Sequence, residues 1–113
     1  MTESNTKLTF FMLVKTTKEW LQLHPKERFA FFDEHFRPLL KRRPQVSMRY
    51  FDSEAFGGTC TDILLWETAD ILAYQAIVEE LRETLFWGTY FEIVEIVPAI
   101  ENAYAIHYEV EPL

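Results

Sequence analysis

The stretch from Lys7 to Lys15 is apolar on both of its alternations, with Leu8, Phe10, Met12 and Val14 on one side and Phe11 and Leu13 on the other. A strand of that pattern is stable when both of its faces are covered. The 113 residues amount to one domain's length, so helices of the same chain supply one cover and something else must supply the second. Residues 1–6 are polar and are expected to be disordered, with residues 7–113 forming a single domain.

The remaining segments fall into an alternating order. His24, Pro25, Lys26 and Glu27 open a helix, since proline suits the first helical position and an acidic residue suits the positive end of the macrodipole. Phe29, Phe32, Phe36, Leu39 and Leu40 continue it at helical spacing, and Pro38 predicts a kink or break by removing the backbone bond to Glu34. The basic triplet Lys41, Arg42, Arg43 sits at the negative helix end before Pro44. Gln45–Asp52 and Thr59–Glu67 read as strands joined by a hairpin whose Gly57 and Gly58 supply positive φ. Thr68 or Asp70 caps a second helix running to about Leu85, with Tyr74, Ile77, Val78, Leu81 and Leu85 on its apolar stripe and Gly88 as a left-handed cap. Tyr90–Val97 is a fourth strand closed by Pro98, and Asn102–Val110 alternates well enough to predict a fifth, edge-type strand.

This order predicts an α+β fold of the ferredoxin-like βαββαβ plan: a four-stranded antiparallel sheet, two helices on one face, and a C-terminal strand. The simplest cover for the other sheet face is a second copy of the same sheet, the dimeric α/β-barrel assembly.

Charge narrows the partners. The chain carries a net charge of −7, which repels nucleic acid and anionic membrane surfaces, and no apolar run is long enough for a membrane span. The charge is also divided: ten basic and five acidic residues lie up to Arg49, then one basic and thirteen acidic follow. The two halves therefore pack on each other, or each faces the opposite half of a second copy, or the asymmetry is only a solvated surface. One cysteine, Cys60, forms no internal disulfide, so a reducing cytoplasm is the expected location.

Few residues offer chemistry. If Asp52 faces Thr59 across the hairpin, Arg49 faces Asp62, and both share a sheet face with Ser47, Phe51, Leu64 and Trp66. That pair is then an interface ion pair or the polar floor of a pocket. His107, flanked by Tyr104, Tyr108 and Glu109, is a candidate base if the tail folds over a pocket, and otherwise an exposed edge histidine. His24, His35 and His107 lack ligand spacing, so no metal and no cofactor is expected. Ten Phe, five Tyr and three Trp exceed what a small core needs. Trp20, Trp66, Trp87 and Tyr104 are therefore candidates to line a subunit interface or an aromatic pocket.

Several stretches together resemble the darcynin family of small bacterial proteins: Phe10–Thr16, Glu19–Leu21, Phe51–Phe56, Trp66–Asp70, Leu81–Trp87 and Pro98–Tyr104. The resemblance covers nearly the whole chain. It implies a ferredoxin-like domain of the dimeric α/β-barrel kind and a family without an established biochemical function, so it supplies no catalytic residues. Neighbouring families of that architecture include cofactor-independent monooxygenases, lactone isomerases, haem-degrading enzymes and dimeric stress proteins, which leaves the reaction open.

Two functional readings stand. One is a small homodimer with a ligand-binding or interaction role, its ligand small and apolar or aromatic. The other is a cofactor-independent monooxygenase or isomerase acting on a small aromatic substrate, with Arg49 holding an anion and Asp62 or His107 abstracting a proton. An enclosed apolar pocket of about 300 Å³ or more, with at least two of those polar groups converging, separates the second reading from the first.

Overall fold

The structure, a computed structural model, describes residues 6–113. Apart from the exposed Thr6, the expectation of disorder over residues 1–6 lies outside the described residues. The order is β1 (Leu8–Thr16), α1 (Lys18–Leu21), α2 (Pro25–His35), α3 (Arg37–Arg42), β2 (Val46–Asp52), β3 (Asp62–Thr68), α4 (Ile71–Arg82), β4 (Phe91–Ala99) and α5 (Ala103–Tyr108). The four strands form one antiparallel sheet in the order β2-β3-β1-β4. The α+β class and the four-stranded antiparallel sheet are as expected.

The even-numbered residues of the central strands face the helices. Phe10 pairs with Trp66, Met12 with Leu64 and Val14 with Asp62, all buried. Phe36, Leu39, Tyr74, Ile77, Leu81, Phe86 and Phe91 pack onto them. Phe10 and Tyr74 stack with centroids 3.8 Å apart, and Trp66 is fully buried between Phe36 and Tyr74. The opposite face carries Phe11, Leu13, Ile63, Leu65, Phe51 and Val97, with no helix among the described residues laid over it.

Local chemistry explains the helix ends. His24 caps α2: its Nδ1 accepts from the Lys26 amide (3.1 Å), and Glu27 Oε1 accepts from the His24 amide (2.7 Å), closing a capping box ahead of Pro25. The break expected at Pro38 separates α2 from α3. Asp70 caps α4 by accepting from the Ala73 amide (3.2 Å). At the other end of α3, Arg42 and Arg43 both pair with Glu80 of α4, so basic first half and acidic second half meet within one subunit.

Five expectations are corrected. The hairpin register differs: Asp52 faces Asp62, Arg49 faces Leu65, and the connection spans residues 53–61. Because the offset is odd, β3 turns over, so Asp62, Leu64 and Trp66 lie on the helix side while Arg49 stays on the open side. The cause is β1, whose large even-numbered residues pair with Trp66 and Leu64 and fix the facing of β3 independently of β2. Gly57 and Gly58 do not adopt positive φ, because the long connection is not a tight turn. Gly88 does (φ 88°), but it lies beyond the Glu83 cap of α4 and forms the turn into β4, donating to the Phe91 carbonyl (2.8 Å). The tail is helix α5 and not a strand: Asn102 and Glu109 bracket it with positive φ, and none of its residues is buried. β4 also continues through Pro98, which an edge strand tolerates.

Candidate functional site

A cleft of about 640 Å³ lies between the helices and the β2 end of the sheet. Its apolar walls are Trp20, Phe29, Phe32, Phe36, Leu40 and Met48. Each wall is set by an element already described. Thr17 caps α1, accepting from the Trp20 amide (3.3 Å) while its hydroxyl donates to the Thr89 carbonyl (2.6 Å), which ties Trp20 to the turn before β4. Arg28 of α2 donates to the carbonyls of Trp20 (3.2 Å) and Leu21 (2.9 Å), satisfying the end of α1. Trp20 then packs edge-on to Phe32 at 5.4 Å, and Phe32 edge-on to Tyr50 at 5.5 Å. Phe29 remains 71% exposed at the rim, a large ring that the fold itself does not bury.

The sheet end of the cleft is acidic, with Tyr50, Asp52, Glu54 and Asp62 in its lining. Asp62 is 5% exposed. The Thr16 amide donates to Thr61 Oγ1 (2.9 Å), and that hydroxyl donates to Asp62 Oδ2 (2.7 Å). Burial pushes the Asp62 carboxyl up to about 6 against the lowering effect of Thr61, and the neighbouring Asp52 and Glu54 add to the rise. Burial, then the charges of Asp62 and Asp52, push the Tyr50 phenol up as well, so it stays a neutral donor facing Asp62.

Only part of the candidate set meets here. Asp62 and Trp20 line the cleft. Arg49 lies on the opposite sheet face, its guanidinium 5.5 Å from the Phe51 ring centre, beside a smaller groove lined by Thr9, Phe11, Leu65, Glu67 and Ile100. The expected Arg49–Asp62 ion pair is therefore absent, because the register sends the two side chains to opposite faces. Trp66 is core rather than interface. Trp87 sits under Arg82, 5.8 Å from the guanidinium carbon, and Tyr104 and His107 are exposed on α5. Tyr50, Asp52, Arg28 and Phe29 were missed. The signal for Asp52 and Tyr50 lies in β1, whose Phe10 and Met12 pair with Trp66 and Leu64 and so fix which face of β3 and β2 meets the helices. Among the described residues no group of three or more His, Cys, Asp or Glu is arranged to hold a metal ion.

Fold and cleft together define a small α+β domain with one sheet face under helices, one sheet face open, and a ligand-sized cavity at the helix-covered edge. The chain belongs to the darcynin family, described as a domain of unknown function, which it matches over residues 1–113. A darcynin homolog of Granulibacter bethesdensis is 50% identical over 102 residues, covering 89% of this chain and 82% of that one. A darcynin homolog of Streptomyces avermitilis is 42% identical over 112 residues, covering 98% of this chain and 93% of that one. Among solved structures, a haem-binding protein from Thermus thermophilus superposes with a TM-score of 0.74 at 15% identity, over 96% of this chain and 45% of that one. A mutant chlorite dismutase from Candidatus Nitrospira defluvii gives 0.71 at 9% identity, over 88% of this chain and 41% of that one. The chain thus spans about half the length of these structures, and the likeness is one of fold.

Proposed function

We propose that this protein binds a flat, largely apolar small molecule in the cleft between α2, α3 and β2, and works as a homodimer joined through its open sheet face. The observation that supports the first part is the cleft itself: about 640 Å³ walled by aromatic and aliphatic side chains, with a small polar cluster at one end. That is the ordinary composition of a small-molecule site. Catalysis is the weaker reading, because Asp62 is the one member of the candidate set Arg49, Asp62 and His107 that reaches the cavity. A binding role in a reducing cytoplasm fits the single buried thiol of Cys60.

The structural neighbours raise haem as a candidate ligand, and the lining does not fit it. The cleft presents no imidazole and no thiolate; its Met48 thioether is a partner ligand at best, and Tyr50 is held protonated. An organic aromatic suits the walls better. Titration of the protein with 2-naphthol, followed by tryptophan fluorescence and calorimetry, is expected to show one site per chain. Met48→Trp, which fills the cavity, is expected to abolish binding with the fold intact by circular dichroism. Absence of saturable binding up to millimolar probe would overturn the reading.

The dimer rests on the open face, where Phe11, Leu13 and Ile63 are only half-buried and Phe51 and Val97 are exposed. A sheet face with an apolar centre, bordered by Arg49, Glu67 and Glu95, is covered most simply by its own symmetry mate. Leu13→Arg, at the centre of that face, is expected to give a folded monomer by sedimentation where the unmodified chain is a dimer. An unmodified chain that sediments as a monomer at micromolar concentration overturns this part.

A further inference from the structure

The polar end of the cleft has an excess of negative charge that the protein does not neutralise. Asp52, Glu54 and Asp62 all line it, and none has an ion-pair partner among the described residues. Asp62 is nine-tenths buried and lines the cavity; Thr61 donates to it, but no cation among the described residues pairs with it, and a buried carboxylate without a counter-charge is costly. The two cationic residues of the lining are on the helix side; Arg37 is charge-paired and Arg28 is held on backbone carbonyls away from the carboxyls, so the three carboxyls still outnumber the one unpaired cation. Arg28 spends Nε and Nη2 on the Trp20 and Leu21 carbonyls, and Arg37 Nε meets Asp33 at 2.6 Å.

Resting on the cleft reading, we propose that the ligand is an organic cation, a flat aromatic ring bearing a short protonated amine, with the ring among Trp20, Phe32, Phe36 and Met48 and the ammonium at Asp62 and Asp52. Three features lead there. The cavity has room for a ring plus a short chain, which a bare cation would leave empty. The carboxyls are not grouped closely enough for a metal ion. The rings of Trp20, Phe32 and Tyr50 flank the approach to the carboxyls, and their π-faces favour a cation over a neutral or anionic group. Tyr50 completes the set, its phenol oxygen lining the cavity where it accepts from an ammonium.

Proton linkage follows from the same geometry. Asp62 faces Tyr50 and Asp52 on β2, Thr61 beside it, Glu54 in the connection, and across the cavity Arg28 on α2 and Arg37 on α3. An arriving ammonium favours the ionised carboxylate, so binding near pH 6 releases a proton from Asp62.

The test compares 2-phenylethylamine with 2-phenylethanol and 3-phenylpropanoate by calorimetry at pH 6 and pH 7.5. The amine is expected to bind at least tenfold more tightly than the alcohol, with the carboxylate weakest. At pH 6 the amine alone is expected to release protons, read as a heat that depends on the ionisation enthalpy of the buffer. Asp62→Asn is expected to lose the amine preference and the proton release while retaining the alcohol. Asp52→Asn, at an exposed position where folding is less at risk, is expected to weaken the amine at least threefold. Alcohol or carboxylate binding as tightly as the amine would overturn the charge assignment and leave the cleft reading standing. Binding of none of the three would remove both.

Discussion

Asp52 and Asp62 are direct cross-strand partners at the mouth of the β2–β3 ladder, two carboxyls on the same helix-side face of the sheet. Like charges directly opposite destabilise a strand pair, and the rise of Asp62 from the ordinary 3.8 to about 6 reports burial first and that repulsion with it. The folded chain therefore holds the Asp62 proton more tightly than the unfolded chain. Its stabilising contribution is complete below about pH 4 and is lost as pH rises through about 6. The full rise corresponds to roughly 3 kcal/mol, and exposed neighbours reduce the measurable part to about 1–2 kcal/mol. We expect Asp62→Asn to be more stable than the parent by that amount at pH 7.5 and level with it at pH 4. Urea unfolding across this range checks the result; parallel profiles for the two proteins would remove Asp62 as the source.

The α2 capping box is the second point of attack. The first turn of α2 brings Pro25 and Arg28 to the cleft, and His24 holds it through paired bonds with Lys26 and Glu27. His24→Ala is expected to cost about 0.5–2 kcal/mol, while His24→Asn restores most of it. Amide exchange at Lys26 and Glu27 is expected to speed up in the alanine variant ahead of the rest of the helix. Uniform acceleration along α2 would mean that the cap does not anchor this end.

Trp66 carries an internal conflict. It is fully buried at the centre of the sheet, yet its indole Nε1 has no hydrogen-bond partner. Truncation to alanine is expected to cost about 3–5 kcal/mol as a large cavity opens. Trp66→Phe loses less volume and also removes the unpaired donor, whose burial costs about 1–3 kcal/mol. The phenylalanine variant is therefore expected within about 1.5 kcal/mol of the parent. A loss near that of alanine would show that shape alone governs this position.

Legibility in the sequence followed the range of the interaction. His24, Pro38 and Asp70 act within a turn of themselves, and their effects on helix ends were readable from spacing alone. β1 announced two covered faces by its own composition, and the helix-covered half of that expectation is met by α3, α4 and the chain after them. The β2–β3 register was not readable in isolation, since residues 53–61 set no tight turn and the facing of β3 is imposed by Phe10 and Met12 of β1. Placing Asp62 correctly required that third strand, and with it the acidic end of the cleft. The tail failed for a related reason. Tyr104, Ile106, Tyr108 and Val110 alternate as in a strand, but a strand needs an edge to pair with, and α5 forms its own hydrogen bonds instead.

That helix sets the last expectation. Asn102 closes residues 102–113 on themselves, its Oδ1 accepting from the Leu113 amide (3.1 Å). Tyr104, Ile106, Tyr108 and Val110 are left 57–79% exposed. The radius of gyration of 16.0 Å exceeds the value of about 13 Å for a compact chain of this length. No residue of α5 is buried, so deleting this arm, residues 102–113, is expected to leave the unfolding free energy of the isolated monomer within about 0.5 kcal/mol. In the proposed dimer the four apolar side chains acquire a surface. At about 1.5–3 kcal/mol each, less the cost of ordering the arm, their loss removes about 3 kcal/mol of association. The dissociation constant is then expected to rise roughly a hundredfold, read by sedimentation over a dilution series. A truncated chain that dimerises as tightly as the parent but melts earlier would place the arm against its own subunit, and the open sheet face would have to hold the dimer without it.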